Sequence, residues 1–95
     1  MDVFVTRDEQ CFVWDSEKAK ANRKKHGVSF DAILDPYAVF EDASVPHEQR
    51  QAAIGSDLVR RLLYVVHLER DGGCLRLISA RLANGREVRR YEEYA

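Results

Sequence analysis

Ninety-five residues leave room for one domain, residues 1–95, with one modest core. With 45% apolar and 33% charged residues the chain is a folded one, not a disordered one, and no apolar run approaches the roughly 18 residues of a membrane span. A net charge of −1 argues against binding nucleic acid through a global basic field.

The start, MDVFVTRDEQ, carries acids and no long apolar stretch, so no signal peptide is expected. Val3 and Val5, then Phe12 and Trp14, suggest one or two short strands, with Asp8-Glu9-Gln10 as the turn between them. Asp15 or Ser16 can cap a helix running to about Lys25, with Gly27 as its C-terminal stop. On that helix Lys18, Asn22 and Lys25 fall at i, i+4 and i+7, on one stripe. Ala19 and His26 lie on the adjacent stripe. Ser29 can cap a second helix, in which Phe30, Ile33, Leu34 and Tyr37 follow the spacing of a core-facing stripe until Pro36 interrupts it.

Short strands are expected from Ala38 to Asp42 and from Arg50 to Gly55, with Ser44 to Glu48 as loop. Leu62 to Leu68 is apolar on both faces, as a central strand is. Asp71-Gly72-Gly73 is a turn signal, and Cys74 to Ala80 returns. With Gly72-Gly73 as the loop pair, Glu69 falls opposite Arg76 and Leu68 opposite Leu77. Tyr64, Val66 and Leu77 are expected to be largely buried. Asn84-Gly85-Arg86-Glu87 resembles a capping box, opening a closing helix with Val88, Tyr91 and Ala95 on its apolar side. The class is α+β: two N-terminal helices and a C-terminal helix packed on one face of a central antiparallel sheet. The other face then stays partly open for a ligand or partner.

Chemistry is carried by cations and a few histidines. No phosphate-binding Gly-rich loop, nucleophile elbow or metal-ligand spacing occurs, so neither a metal nor a cofactor is expected. Cys11 and Cys74 lack a Cys-x-x-Cys spacing and read as thiols in a reducing cytosol. Residues 58–95 hold eight basic residues, all Arg, which suits bidentate contacts to phosphate or carboxylate. Lys25-His26 ends a helix, where the dipole favours cations. His26 is a candidate proton-transfer group or simply a helix cap. Arg70 and Arg81 fall near opposite ends of the hairpin, so one phosphate cannot touch both. His67 and Cys74 read as core or edge residues.

Phe12-Val13-Trp14-Asp15, Lys18, Asn22, Lys25-His26-Gly27-Val28 and Phe30 resemble the N-terminal signature of the BrnT toxin family. Val39-Phe40, Asp42, Arg50, Ile54-Gly55, Arg70, Ile78-Ser79-Ala80-Arg81, Glu87 and Tyr91 continue the pattern in order, over residues 12–91. The resemblance implies a RelE-like fold and a cytoplasmic type II toxin that cleaves RNA and arrests translation. Its implied partners are RNA and a cognate antitoxin with a ribbon-helix-helix DNA-binding domain, through which it reaches operator DNA. The expected reaction is metal-independent attack of the RNA 2′-hydroxyl on its own phosphodiester. This needs a base, an acid and cations around the phosphorane. His26 is the candidate acid or base and Glu48 a second candidate base. Lys25, Arg50, Arg70 and Arg81 are candidates for the phosphate, Lys18 and Asn22 for RNA binding. Structural salt bridges are the competing reading for Arg50 and Arg81. A co-repressor that docks the antitoxin without cutting, or a catalytically weak toxin, are the competing functions.

Overall fold

The computed structural model describes residues 1–30 and 38–94. Residues 2–7 alternate between exposed and half-buried, as an edge strand does, and residues 10–15 are half-buried to buried throughout. β1 (Asp2–Arg7) and β2 (Gln10–Asp15) pair antiparallel, and Asp8 and Glu9 turn the chain at positive φ, 50° and 68°. Gln10 thus belongs to β2 rather than to the turn.

α1 (Ser16–His26) starts where Asp15 accepts the Lys18 N–H at 3.0 Å. It ends where Gly27 takes φ 70°, a left-handed conformation that suits a residue without Cβ. Four more strands follow: β3 (Val39–Asp42), β4 (Gln51–Ser56), β5 (Leu62–Glu69) and β6 (Leu75–Leu82). The closing helix α2 (Gly85–Tyr94) opens on the expected capping box. Asn84 Oδ1 accepts the Glu87 N–H and Glu87 Oε1 accepts the Asn84 N–H, each at 2.9 Å.

The strands form one sheet in the order β1-β2-β6-β5-β4-β3. β5 and β6 lie at its centre, antiparallel, as the apolar run at Leu62 to Leu68 requires. The sheet is nevertheless mixed, because β2 runs parallel to β6. This overturns the wholly antiparallel sheet. The connection from β2 to the rest of the sheet passes through α1, a crossover that permits parallel pairing. Among the described residues one helix, not two, stands between β2 and β3. The second helix expected from Ser29 through Tyr37 falls mainly on residues 31–37, outside those described.

The helices also do not share a face. Leu63 packs with Trp14, Val28, Phe30, Val65, Leu77 and Ala80, and Ala19 of α1 lies against this cluster. The next residue, Tyr64, instead meets Arg81, whose guanidinium sits 4.3 Å from the ring centre, and Arg81 binds Glu87 of α2. Side chains alternate along a strand, so α1 and α2 cover opposite faces. Leu77 is buried as expected; Tyr64 and Val66 are only half-buried, and it is Leu63 and Val65 that enter the main core.

The hairpin register departs from the expected one near the turn. The loop is a three-residue 3₁₀ turn, Asp71–Gly73, closed by Arg70 N–H to Cys74 C=O at 2.7 Å. Glu69 therefore faces Leu75 and Leu68 faces Arg76. A bulge between Val66 and His67 absorbs the extra residue, so that Val66 faces Ser79 beyond it.

Cys11 and Cys74 are disulfide-bonded, not free. The parallel register pairs Phe12 with Leu75, which sets the two cysteines side by side with Cα atoms 4.6 Å apart. Their 63-residue separation hides this from any spacing motif. Among the described residues no helix is long and apolar enough to cross a membrane.

Candidate active site

Beyond the C-terminal end of β5 a cleft of about 590 Å³ opens, lined by Asp42, Ser44, Arg50, Gln51, Glu69 and Arg70 among others. Arg70 is placed there by the β5–β6 turn and is exposed. Arg50 is placed by the entry into β4. A short turn precedes it, in which Val45 and Glu48 exchange backbone hydrogen bonds at 3.1 Å. Ser44 ties the foot of this turn to Asp42 Oδ1, at 2.6 Å, and accepts the Arg50 N–H. With its backbone held, the Arg50 guanidinium donates through Nε to Glu48 Oε1 at 2.5 Å. Two guanidiniums, one of them bonded to the Glu48 carboxylate, thus meet at one cleft, which suits a phosphodiester.

His47 sits at the apex of the same turn, exposed, with φ 79°. A non-glycine residue there costs of order 1 kcal/mol, and such outliers gather at functional sites. Sequence reasoning read residues 44–48 as loop and passed over His47. The available signal was a histidine directly after Pro46, at a turn position that usually takes glycine, next to Glu48-x-Arg50.

Other candidates lie elsewhere. Gly27, which follows His26, accepts a hydrogen bond from Arg61 at 3.3 Å, and Arg61 directly precedes β5. The α1 terminus with Lys25 and His26 therefore stands at the start of β5, and the cleft beyond its end. Eight strand residues at about 3.3 Å each separate the two, roughly 25 Å. Lys18 and Lys25 are exposed on α1. Asn22 is buried: its side chain bonds both the N–H and the C=O of Ala80, at 3.1 and 2.9 Å, and the C=O of Val28. It locks α1 to β6 and leaves nothing for RNA. Arg81 forms a two-pronged ion pair with Glu87, at 2.8 and 3.0 Å, on the α2 face. Burial raises the Glu87 carboxyl, but Arg81 and the Asn84 N–H outweigh it and hold the group below its ordinary value. The paired Arg81 guanidinium acts as an anchor for α2. Burial pushes His67 below its ordinary value; its Nε2 has no partner among the described residues and its ring meets Phe40 edge-on at 5.9 Å. Among the described residues no group of three or more His, Cys, Asp or Glu could hold a metal ion.

Residues 14–87 match the family described as the ribonuclease toxin, BrnT, of type II toxin–antitoxin systems. The fold is similar to the crystal structure of the Brucella abortus ribonuclease toxin BrnT. The TM-score is 0.63 at 26% identity, covering 75% of this chain and 92% of that one. No curated protein matches the sequence. β1 and the start of β2, with Cys11, precede the matched residues.

Proposed function

Since the chain belongs to the BrnT family of ribonuclease toxins of type II toxin–antitoxin systems, we propose that it cleaves RNA in the cleft beyond β5, without a metal ion. The observation that carries this reading is the cleft lined by both Arg50 and Arg70, with Arg50 bonded to Glu48. Glu48 takes the proton of the 2′-hydroxyl, whose oxygen attacks the phosphorus. The bond from phosphorus to the 5′-oxygen breaks, and His47 gives that oxygen a proton. The products are a 2′,3′-cyclic phosphate and a 5′-hydroxyl. Arg50 and Arg70 stabilise the extra charge of the phosphorane, which exceeds that of the bound substrate. Lys25 and His26, at the far end of β5, act on RNA outside the reacting centre.

Type II membership implies an antitoxin. We take it to carry a ribbon-helix-helix domain, through which the complex binds operator DNA. The toxin itself acts in the cytoplasm, where its RNA is.

The test is cleavage of RNA by the purified chain in EDTA. Glu48→Gln and His47→Ala should each lower kcat by roughly 10²–10⁴-fold, and Arg70→Ala by roughly 10²–10³-fold. Full activity of Glu48→Gln, with the chain still folded, removes the cleft from the chemistry. Activity lost in EDTA and restored by a divalent cation ends the metal-independent route. A second reading, a co-repressor that docks the antitoxin without cutting, draws on the excess of acids over bases. It is the outcome if the chain binds antitoxin tightly and never cuts.

A further inference from the structure

Resting on the RNA-cutting reading, we propose that α1 is the binding track for single-stranded RNA and that the groove beside it holds one base. α1 carries Lys18, Lys20, Arg23, Lys24 and Lys25 against Glu17 alone, a net +4 within a chain of net −1. The rest of the chain is therefore five charges negative, and the overall charge conceals a basic face. All five cations are exposed, and none pairs with an acid among the described residues. Outside α1, Arg50, Arg61, Arg76, Arg81, Arg86 and Arg90 each hold a carboxylate, and the arginines that hold none among the described residues, Arg7, Arg60, Arg70 and Arg89, are scattered over the chain.

Helix stability alone does not account for this set. The dipole favours the cations of the last turn, Arg23 to Lys25. It gives no support to Lys18 and Lys20 in the first half. Lys20 is also one turn from Arg23 and Lys24, and such like-charge neighbours cost a few tenths of a kcal/mol each. A face that repels itself gains when an anion covers it.

Beside this face runs a groove of about 210 Å³. Ala19 and the little of Trp14 and Phe30 that is exposed, 8% and 3%, form its apolar floor, and Lys20 and Arg23 stand along it. An apolar floor for a base, with cations for the flanking phosphates, is a feature of sequence-tolerant single-strand sites. An acidic protein segment would use the cations but has no flat group for the groove.

The C-terminal end of α1 and the cleft lie at opposite ends of β5, roughly 25 Å apart. A stacked strand rises about 3.4 Å per nucleotide, so about seven nucleotides are needed to reach from one to the other. The track thus helps long substrates and leaves short ones untouched.

The test uses the triple variant Lys20→Gln, Arg23→Gln, Lys24→Gln, whose side chains are all exposed. The probes are a 2′-O-methyl 15-mer, which cannot be cut, and RNA substrates of two and fifteen nucleotides. The variant should bind the 15-mer at least tenfold more weakly. Its log Kobs against log salt slope should be shallower by about 2, from three lost phosphate contacts. Its kcat/KM on the 15-nucleotide RNA should fall, with the dinucleotide unchanged within twofold. Unchanged affinity and salt slope overturn the proposal. So does a variant that binds RNA normally but loses the antitoxin, which assigns the face to an acidic protein. Wild-type protein that binds the 15-mer through α1 yet cuts nothing upholds the track and defeats the cleavage reading.

Discussion

Reducing the Cys11–Cys74 bond should lower the stability of the fold strongly. The bond closes a loop of 63 residues, joining the N-terminal hairpin to the central one. In the chain-entropy account, a loop of that length removes enough freedom from the unfolded chain to stabilise the fold by about 4 kcal/mol at 25 °C. Measured values commonly fall below that limit, so about 2–4 kcal/mol is expected. For a domain of this size each kcal/mol moves the melting temperature by about 4–8 °C, which gives a fall of roughly 8–32 °C. The folded state itself should change little. Gln10 still donates to the Gly73 carbonyl at 2.8 Å, and Arg70 N–H to the Cys74 carbonyl at 2.7 Å. The assay is thermal melting by circular dichroism of the oxidised chain, the reduced chain and the Cys11→Ser, Cys74→Ser double variant, with thiols counted in each. Reduced and oxidised chains that melt within about 3 °C of each other, with two thiols titrating only in the reduced one, would refute the entropic reasoning. Disulfides seldom persist in a reducing cytosol, so the same measurement with glutathione at cytosolic poise reports which form acts there.

Arg81→Ala should destabilise the chain by roughly 2–3 kcal/mol in urea melts. It leaves the Glu87 carboxylate, 2% exposed, with only the more distant Arg86 guanidinium, at 3.6 Å; the loss stays below that of a wholly buried pair for this reason and because Arg81 is 38% exposed. Asn22→Leu should cost about 2–3 kcal/mol, since the buried Ala80 N–H and C=O both lose a partner, and hydrogen exchange at the Ala80 amide should accelerate. Burial depresses His67, so its neutral form is the one the fold holds. Stability should therefore be complete above its unfolded value of about 6.5 and fall as pH drops through that value toward the lower folded one. His67→Asn should flatten that part of the stability profile between pH 7 and 5.5; an unchanged slope assigns it to other groups. Glu87 acts at lower pH. Its carboxyl is held below the ordinary value, so its share of stability is present above about pH 4.3 and is lost as acid protonates it in the fold. Glu87→Gln should reduce that acid sensitivity in the same melts.

Local signals were enough for the elements they control. Asp15 and Gly27 bound α1 because a side-chain acceptor and a residue tolerant of positive φ act on their immediate neighbours. Asn84 and Glu87 open α2 for the same reason. The apolar run at Leu62 to Leu68 marked the sheet centre, and the Lys-His-Gly-Val and Ile-Ser-Ala-Arg strings carried the family. What depends on partners distant along the chain was not legible. The parallel pairing of β2 with β6 decided that Cys11 meets Cys74, and no local pattern encodes a contact across 63 residues. The same packing sent Asn22 inward to β6, although its helical spacing grouped it with Lys18 and Lys25. Strand alternation put α2 on the face opposite α1, where Arg81 found Glu87. Composition named the cations, but tertiary structure decided which of them face acids and which face solvent. A charge is neutralised by whatever the fold brings within a few ångströms of it.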